Sequence, residues 1–197
     1  MKKAVLMGSL ALGLFPGVHA SEECAKISDN QSRLACYDAE YRPATTSDNT
    51  SDWYVREETS PIDDSRTVVL STMSIDSIKD RLGRQDKAMM AIRCIENTTS
   101  IIFQFANHHM ADLNQYGVVT LRIDDQDAFK RRMSESTDNK ALGLWNGGSS
   151  IPVVKRLFDA DTLTVRATPY GQSPITVQFP VGELKKAIEP LREACHW

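Results

Sequence analysis

The sequence has no apolar run after its first twenty residues long enough to cross a bilayer, which takes about 20 residues of predominantly apolar character. It has no excess of positive charge either. Its 23 Lys and Arg stand against 26 Asp and Glu, for a net charge of -3, which argues against a partner recognised through a phosphate backbone. G-x-S-x-G and H-E-x-x-H are missing, so neither a strained serine elbow nor a paired-histidine zinc helix is available. Paired CxxC spacing is missing too, and the scattered thiols do not suggest a metal site. No cofactor, metal or catalytic residue is expected.

What the chain does have is an export signal. Met1, Lys2 and Lys3 give a charged start, residues 4–15 an apolar stretch interrupted by Gly8 and Gly13, and Val18-His19-Ala20 a small-residue site before Ser21. That order matches a cleaved secretory signal with the cut between Ala20 and Ser21. Losing Lys2 and Lys3 leaves 21 basic against 26 acidic residues, a net charge of about -5 on a mature chain of 177 residues. The expected compartment is the periplasm, without a membrane span after cleavage. Cys24 lies three residues beyond Ser21 and lacks a Leu-rich approach, so it does not read as a lipid-anchored cysteine.

All four cysteines, Cys24, Cys36, Cys94 and Cys195, fall in the mature part, an even number in an oxidising space that favours disulfides over thiols. Cys24 and Cys36 share one short helical region. Cys94 sits on a predicted strand, and Cys195 on the apolar side of the last helix. The expected pairs are Cys24 with Cys36 and Cys94 with Cys195.

Residues 21–42 read as a helical appendage: Asp29 or Asn30 can cap a turn, and Leu34, Tyr37 and Tyr41 recur at spacings of three and four. Two short helices stapled by a disulfide fit the segment. Residues 43–52 turn to Thr, Ser, Asp and Asn with no large apolar side chain, the composition of a linker.

From residue 53 onward the period changes from 3.6 to 2. Leu163-Thr164-Val165-Arg166-Ala167 alternates cleanly, as do Ile175, Val177 and Phe179, and Ile101, Phe103 and Phe105. Weaker candidates lie at 53–57, 67–73, 89–95 and 118–123, which makes about seven strands. Gly and Pro punctuation suits an antiparallel β-sandwich or barrel-like domain over residues 53–197. Val181, Leu184, Ile188, Leu191 and Cys195 share one face of a C-terminal helix that should lie on the sheet. Pro190 should kink or restart that helix near Glu189. Residues 77–82 read as a short helical connection.

The candidate contact residues are few. Asp63 with Asp64, and Asp124 and Asp125 with Asp127, are the acid clusters, and Asp at strand ends usually holds turn amides. Arg122, Asp124, Asp125, Asp127, Lys130, Arg131 and Arg132 read as a solvated face with opposite charges across strands. His108, His109 and His196 read as surface or partly buried side chains; on an extended strand the first two would point apart. Trp145, beside Asn146-Gly147-Gly148, sits where a loop would present it to a ligand or partner.

Several of these residues form a recognisable series: Cys24-Ala25-Lys26-Ile27, Arg33-Leu34-Ala35-Cys36-Tyr37-Asp38, Ser60-Pro61-Ile62-Asp63-Asp64-Ser65, Arg122-Ile123-Asp124-Asp125, Ser136-Thr137-Asp138 with Ala141, Thr168-Pro169-Tyr170-Gly171, and the end Pro190-Leu191-Arg192-Glu193-Ala194-Cys195-His196-Trp197. The series resembles the VasI/TagO family of proteins associated with bacterial type VI secretion, from Cys24 to Trp197. The resemblance implies an exported accessory protein serving the secretion machinery, with a protein partner in the cell envelope, and it implies no settled activity; the missing catalytic motifs add the expectation of a non-catalytic role, and the acidic balance that of no nucleic-acid partner. It carries no catalytic residue and no particular oligomeric state. Two other classes stay open at this point: a cell-wall hydrolase using Asp124 or Asp125, which needs one carboxyl of raised pKa beside an ionised one, and an inhibitor or immunity-type protein acting through residues 145–150.

Overall fold

The computed structural model of the chain describes residues 24–41 and 51–197. The expected signal, its Ala20 and Ser21 cleavage site, and most of the 43–52 linker lie outside the described residues. Two compact units divide the chain between Asp48 and Asn49.

In the first unit, helix α1 covers Asn30–Tyr41. Asp29 caps it: its carboxylate accepts from the Ser32 amide at 2.8 Å, satisfying one of the amides that open every helix. A disulfide joins Cys24 to Cys36 with the Cα atoms 5.5 Å apart, and Arg33 donates to the Ile27 carbonyl, closing the chain before α1 onto the helix. Leu34, one of the expected apolar positions, is exposed.

The second unit is mainly β, with two antiparallel sheets and a few helices. Its strands are β1 Tyr54–Thr59, β2 Arg66–Lys79, β3 Gln85–Ile95, β4 Thr98–Gln104, β5 Val118–Ile123, β6 Phe129–Arg132, β7 Ser134–Glu135, β8 Ala141–Leu144, β9 Thr162–Ala167 and β10 Ile175–Pro180. The first sheet runs β1-β2-β3-β4-β8-β7 and the second β10-β9-β5-β6. Neither closes on itself, so the barrel-like alternative is not the arrangement.

Period-2 alternation is the reason these strands share a core. Val68 and Leu70 of β2, Met90 and Ile92 of β3, Ile101 and Phe103 of β4, Val119 and Leu121 of β5, Leu163 and Val165 of β9 and Phe179 of β10 all belong to one buried cluster. Phe103 and Phe179 meet across it with ring centroids 6.0 Å apart. Truncating either to alanine would cost about 3–5 kcal/mol, the range for deleting a fully buried aromatic ring.

Among the described residues ten strands form where about seven were expected. Ala141–Leu144 is buried at every position and therefore shows no alternation. Phe129–Arg132 is an exposed edge that reads as charged run, and Ser134–Glu135 has only two residues. The helical connection expected over residues 77–82 is absent. Ser77, Ile78 and Lys79 continue β2 past an irregularity at Met73 and pair with Lys87, Asp86 and Gln85. The Ser74 hydroxyl fills that irregularity, donating to the Asp76 carbonyl and accepting from the Ala88 amide. Asp80 then takes the amides of Leu82 and Arg84, a side-chain turn that competes with helix.

Helix α2, Gly147–Lys155, stands where a glycine-punctuated loop was expected. The Asn146 side chain accepts from the Ser149 amide at 3.0 Å, and the buried Ser150 hydroxyl donates to the Thr99 carbonyl of β4 at 2.7 Å. The cap and the burial of Val153 and Val154 outweigh the poor helix propensity of Gly147, Gly148 and Pro152. The C-terminal segment splits into α3, Leu184–Ala187, and α4, Glu189–Ala194. Pro190 lies in the first turn of α4, where its missing amide hydrogen has no helical acceptor to lose. Helix α4 packs on β2 and β3, and Cys195 bonds Cys94 of β3 with the Cα atoms 5.8 Å apart. Among the described residues no helix is long and apolar enough to cross a membrane.

Candidate functional site

Three tips of the first sheet gather at one end: the β2–β3 turn, the segment after β4, and the β7–β8 turn. Together they line a cleft of about 340 Å³ whose walls include Asp80, Arg81, Arg84, His108, Asp138 and Lys140. Leu82, His109 and the amide side chains Asn107 and Asn139 complete it. These segments lie far apart in sequence and meet only because β2, β3, β4, β8 and β7 are sheet neighbours.

Local backbone chemistry fixes each wall. The Asp80 carboxylate is buried and holds two amides and the Arg84 guanidinium, with Nε and Nη2 each at 2.8 Å. Desolvation, the largest single influence on this carboxyl, pushes its pKa up. The Arg84 amide, the Arg84 guanidinium and the Leu82 amide together outweigh it, and the value settles below 3.8. Asp138 is likewise held below 3.8, by the Ser136 hydroxyl and then the Lys140 amide. Both carboxylates are engaged by their own turns, the Lys140 charge also acts on Asp138, and Arg81 adds a further cation to the cleft.

His108 is buried, further in than the surface or partly buried position expected, while its neighbour His109 is exposed. They lie on a turn rather than a strand: Ala106 and Asn107 both adopt positive φ, 41° and 61°, and the His108 amide donates to the Phe105 carbonyl at 2.8 Å. His108 Nε2 lies 2.7 Å from the Lys79 carbonyl, which can only accept, so Nε2 carries the proton. Nδ1 is buried with no hydrogen-bond partner among the described residues. The same ring borders a second cavity of about 500 Å³ formed with Lys79, Gln172, Ser173 and Pro174. This arrangement can hold a small polar or anionic group.

The residues chosen from sequence lie elsewhere and apart. Asp63 and Asp64 form the β1–β2 turn. The Asp63 carboxylate accepts from the Ser65 amide and hydroxyl, and its pKa is lowered by the hydroxyls of Ser60 and Ser65 and then the Ser65 amide. Asp64 takes φ 56°. Asp124 also turns, at φ 44°, and its Oδ1 accepts from the amides of Asp161 and Thr162 at 3.2 and 2.8 Å, tying the end of β5 to the start of β9. Arg122 donates to the carbonyls of Gln126 and Asp125 and lies 3.7 Å from the exposed Asp125 carboxylate.

Opposite charges do not face each other across strands in this run. Arg122 pairs with Thr164, Lys130 with Thr120 and Arg132 with Val118, while Asp124, Asp125 and Asp127 collect in the β5–β6 connection. The alternation of the strands sets that outcome: Lys130 and Arg132 take the outward positions of β6, opposite uncharged β5 partners.

Trp145 follows β8 and lies half-buried. Its Nε1 donates to the Ser134 carbonyl at 3.0 Å, and the Arg93 guanidinium sits 5.3 Å from its ring. Trp53 and Trp197 are similarly tied, to the Gly182 carbonyl and the Thr99 hydroxyl. Sequence reading missed the cleft because no motif spans its walls; the adjacent His108 and His109, preceded by Asn107, were the one local signal. Among the described residues no group of three His, Cys, Asp or Glu side chains converges as a metal site.

Comparison with known proteins gives one family match. The family model described as "Type VI secretion system VasI, EvfG, VC_A0118" matches residues 23–197. No curated protein matches the chain. Among solved structures, the chain is similar to the crystal structure of invasion associated protein b from Bartonella henselae, at 10% identity and a TM-score of 0.47, over 74% of this chain and 95% of that one.

Proposed function

We propose, from the premise that the chain belongs to the type VI secretion VasI family, that it is an exported accessory protein of that machinery which works by binding a protein partner in the cell envelope. The family match over residues 23–197 carries the reading. The sequence of residues 1–20 supports export through a cleaved signal and residence in the periplasm. The two disulfides support an oxidising compartment. On this reading residues 21–42 are a disulfide-stapled helical hairpin, residues 43–52 a linker, and residues 53–197 a two-sheet sandwich with its C-terminal helices on the first sheet.

Site chemistry supports a binding role. A hydrolase built on Asp124 or Asp125 needs a carboxyl of raised pKa in a cleft beside a second, ionised one. Asp124 instead holds two backbone amides, and Asp125 projects into solvent. Clean deletion of the gene is expected to impair effector delivery while leaving the envelope intact. Undiminished delivery by the deletion strain would contradict the proposal.

A further inference from the structure

The outward face of the second sheet carries a charge pattern that nothing above uses. Its strands turn Val119, Leu121, Leu163, Val165, Val177 and Phe179 inward to the core. What remains outward is a Thr-rich surface bearing four cations and no carboxylate. Thr120 of β5 sits at its centre. Arg166 of β9 and Lys130 of β6 are its two cross-strand partners, and Arg122 follows two positions on along β5. Arg132 is diagonal to Thr120, opposite Val118. Strand geometry spaces cross-strand neighbours by about 4.8 Å and same-face positions along a strand by about 6.8 Å, so the four cations crowd one small patch.

These cations have little to neutralise them. Among the described residues only Arg122 has a carboxylate within 4 Å, the exposed Asp125 at 3.7 Å. Arg132 donates to the carbonyls of Asn114 and Asp112, and Arg166 to the Thr176 hydroxyl at 2.9 Å; these partners orient the guanidinium groups without cancelling their charge. A chain that is net acidic thus concentrates on one face three cations with no carboxylate within 4 Å among the described residues, beside a fourth, Arg122, paired with an exposed one.

We propose that this face is the docking surface for an acidic protein partner, one presenting several Asp and Glu side chains. The proposal deepens the function proposed above, and rests on that reading for where the partner is met. Charge complementarity selects the occupant. Three of the four cations are Arg, whose charge pairs strongly with carboxylates; the Arg166 fork is engaged through Nε alone, and the threonines offer hydroxyl donors between the cations. A lipid surface would want large apolar side chains to insert beside the cations, and none of the exposed large hydrophobic residues lies on β5, β6, β9 or β10. A glycan would want aromatic rings on the face itself for stacking, and the outward positions of β5, β6, β9 and β10 carry none.

The test is a titration of the isotope-labelled mature protein with a hexaglutamate peptide at low salt, read by backbone amide shifts. Saturable shifts are expected at Thr120, Thr164 and Arg166. Lys130→Glu with Arg166→Glu should weaken them at least about tenfold, and raising the salt to about 0.15 M should weaken them several-fold. Lys87→Glu with Lys186→Glu, which change as much charge on other surfaces, should leave them within about twofold. Thermal unfolding of each variant verifies that it is folded. No saturable shift, or equal weakening in the two double variants, overturns the proposal. So do stronger shifts of the same amides with vesicles containing about one-fifth phosphatidylglycerol, or with soluble muropeptides. If titration fails while gene deletion impairs delivery, the surface assignment falls alone; if titration succeeds while deletion leaves delivery intact, the secretion role falls alone.

Discussion

Replacing Cys94 and Cys195 together by alanine removes a bridge that closes a stretch of 101 residues, most of the second unit. A cross-link stabilises chiefly by restricting the unfolded chain, and for a loop of about 100 residues the chain-entropy model gives about 5 kcal/mol. A domain of ordinary stability has about 5–15 kcal/mol in all, so this one bridge sets whether the unit is robust or marginal. Both cysteines are buried, at 0% and 7% exposure, so lost sulfur packing adds to the same side of the balance. At about 2–4 °C per kcal/mol for a unit of this size, Tm should fall by about 10–20 °C. Urea unfolding followed by tryptophan fluorescence measures the loss directly, because Trp53, Trp145 and Trp197 all lie in the second unit. The denaturant slope should rise, since the uncrosslinked unfolded chain exposes more surface. A loss below about 2 kcal/mol would refute the assignment of this bridge as the main covalent constraint on the unit.

Four further outcomes follow from individual contacts. Gly117→Ala should cost about 1–3 kcal/mol in a urea titration, because its Cβ would lie 2.8 Å from the Met133 carbonyl oxygen and 2.9 Å from the Asp112 Cα, both backbone atoms. Asn146→Ala should cost about 1 kcal/mol through the lost α2 cap, and Asn146→Gly only a few tenths, by the same measurement. Ser150→Ala should cost about 1–1.5 kcal/mol, since its buried hydroxyl bonds the Thr99 carbonyl. Asp29, Asp63, Asp80 and Asp138 all have folded pKa values below 3.8; their contribution is therefore complete above about pH 4 and lost as pH falls through the folded values. Urea midpoints measured from pH 6 downward should fall in that acid range, and Asp80→Asn should flatten the decline; an unchanged slope would contradict its role.

The clean strands were legible because one side of each meets a core: Leu163, Val165 and Ala167 announce β9 by themselves. Both disulfide pairs and the break before Pro190 were legible from spacing and from the chemistry of the residues. Strand β8 was not, because burial on both faces erases the alternation that marks a strand. Residues 77–82 misled because Ser, Ile, Asp and Leu spacings permit a helical turn, whereas the Ser74 hydroxyl and Asp80 carboxylate satisfy an extended chain and a tight turn. Helix α2 hid behind two glycines and a proline whose preferences a single asparagine cap and a buried face override. The cleft around His108 depends on sheet order, which joins residues 80–84, 107–109 and 138–140. The cationic face depends on register: the sequence run 122–132 mixes both signs, and pairing alone sorts the cations outward and gathers the acids at the connection.

The exported, covalently closed state is tested most directly by the intact mass of the protein recovered from the periplasmic fraction under thiol-blocking conditions. The account predicts a chain beginning at Ser21, lighter than the reduced sequence by the hydrogens of four thiols and carrying no blocking group. A cell-interior protein retaining Lys2 and Lys3, or one with four alkylated cysteines, would contradict it.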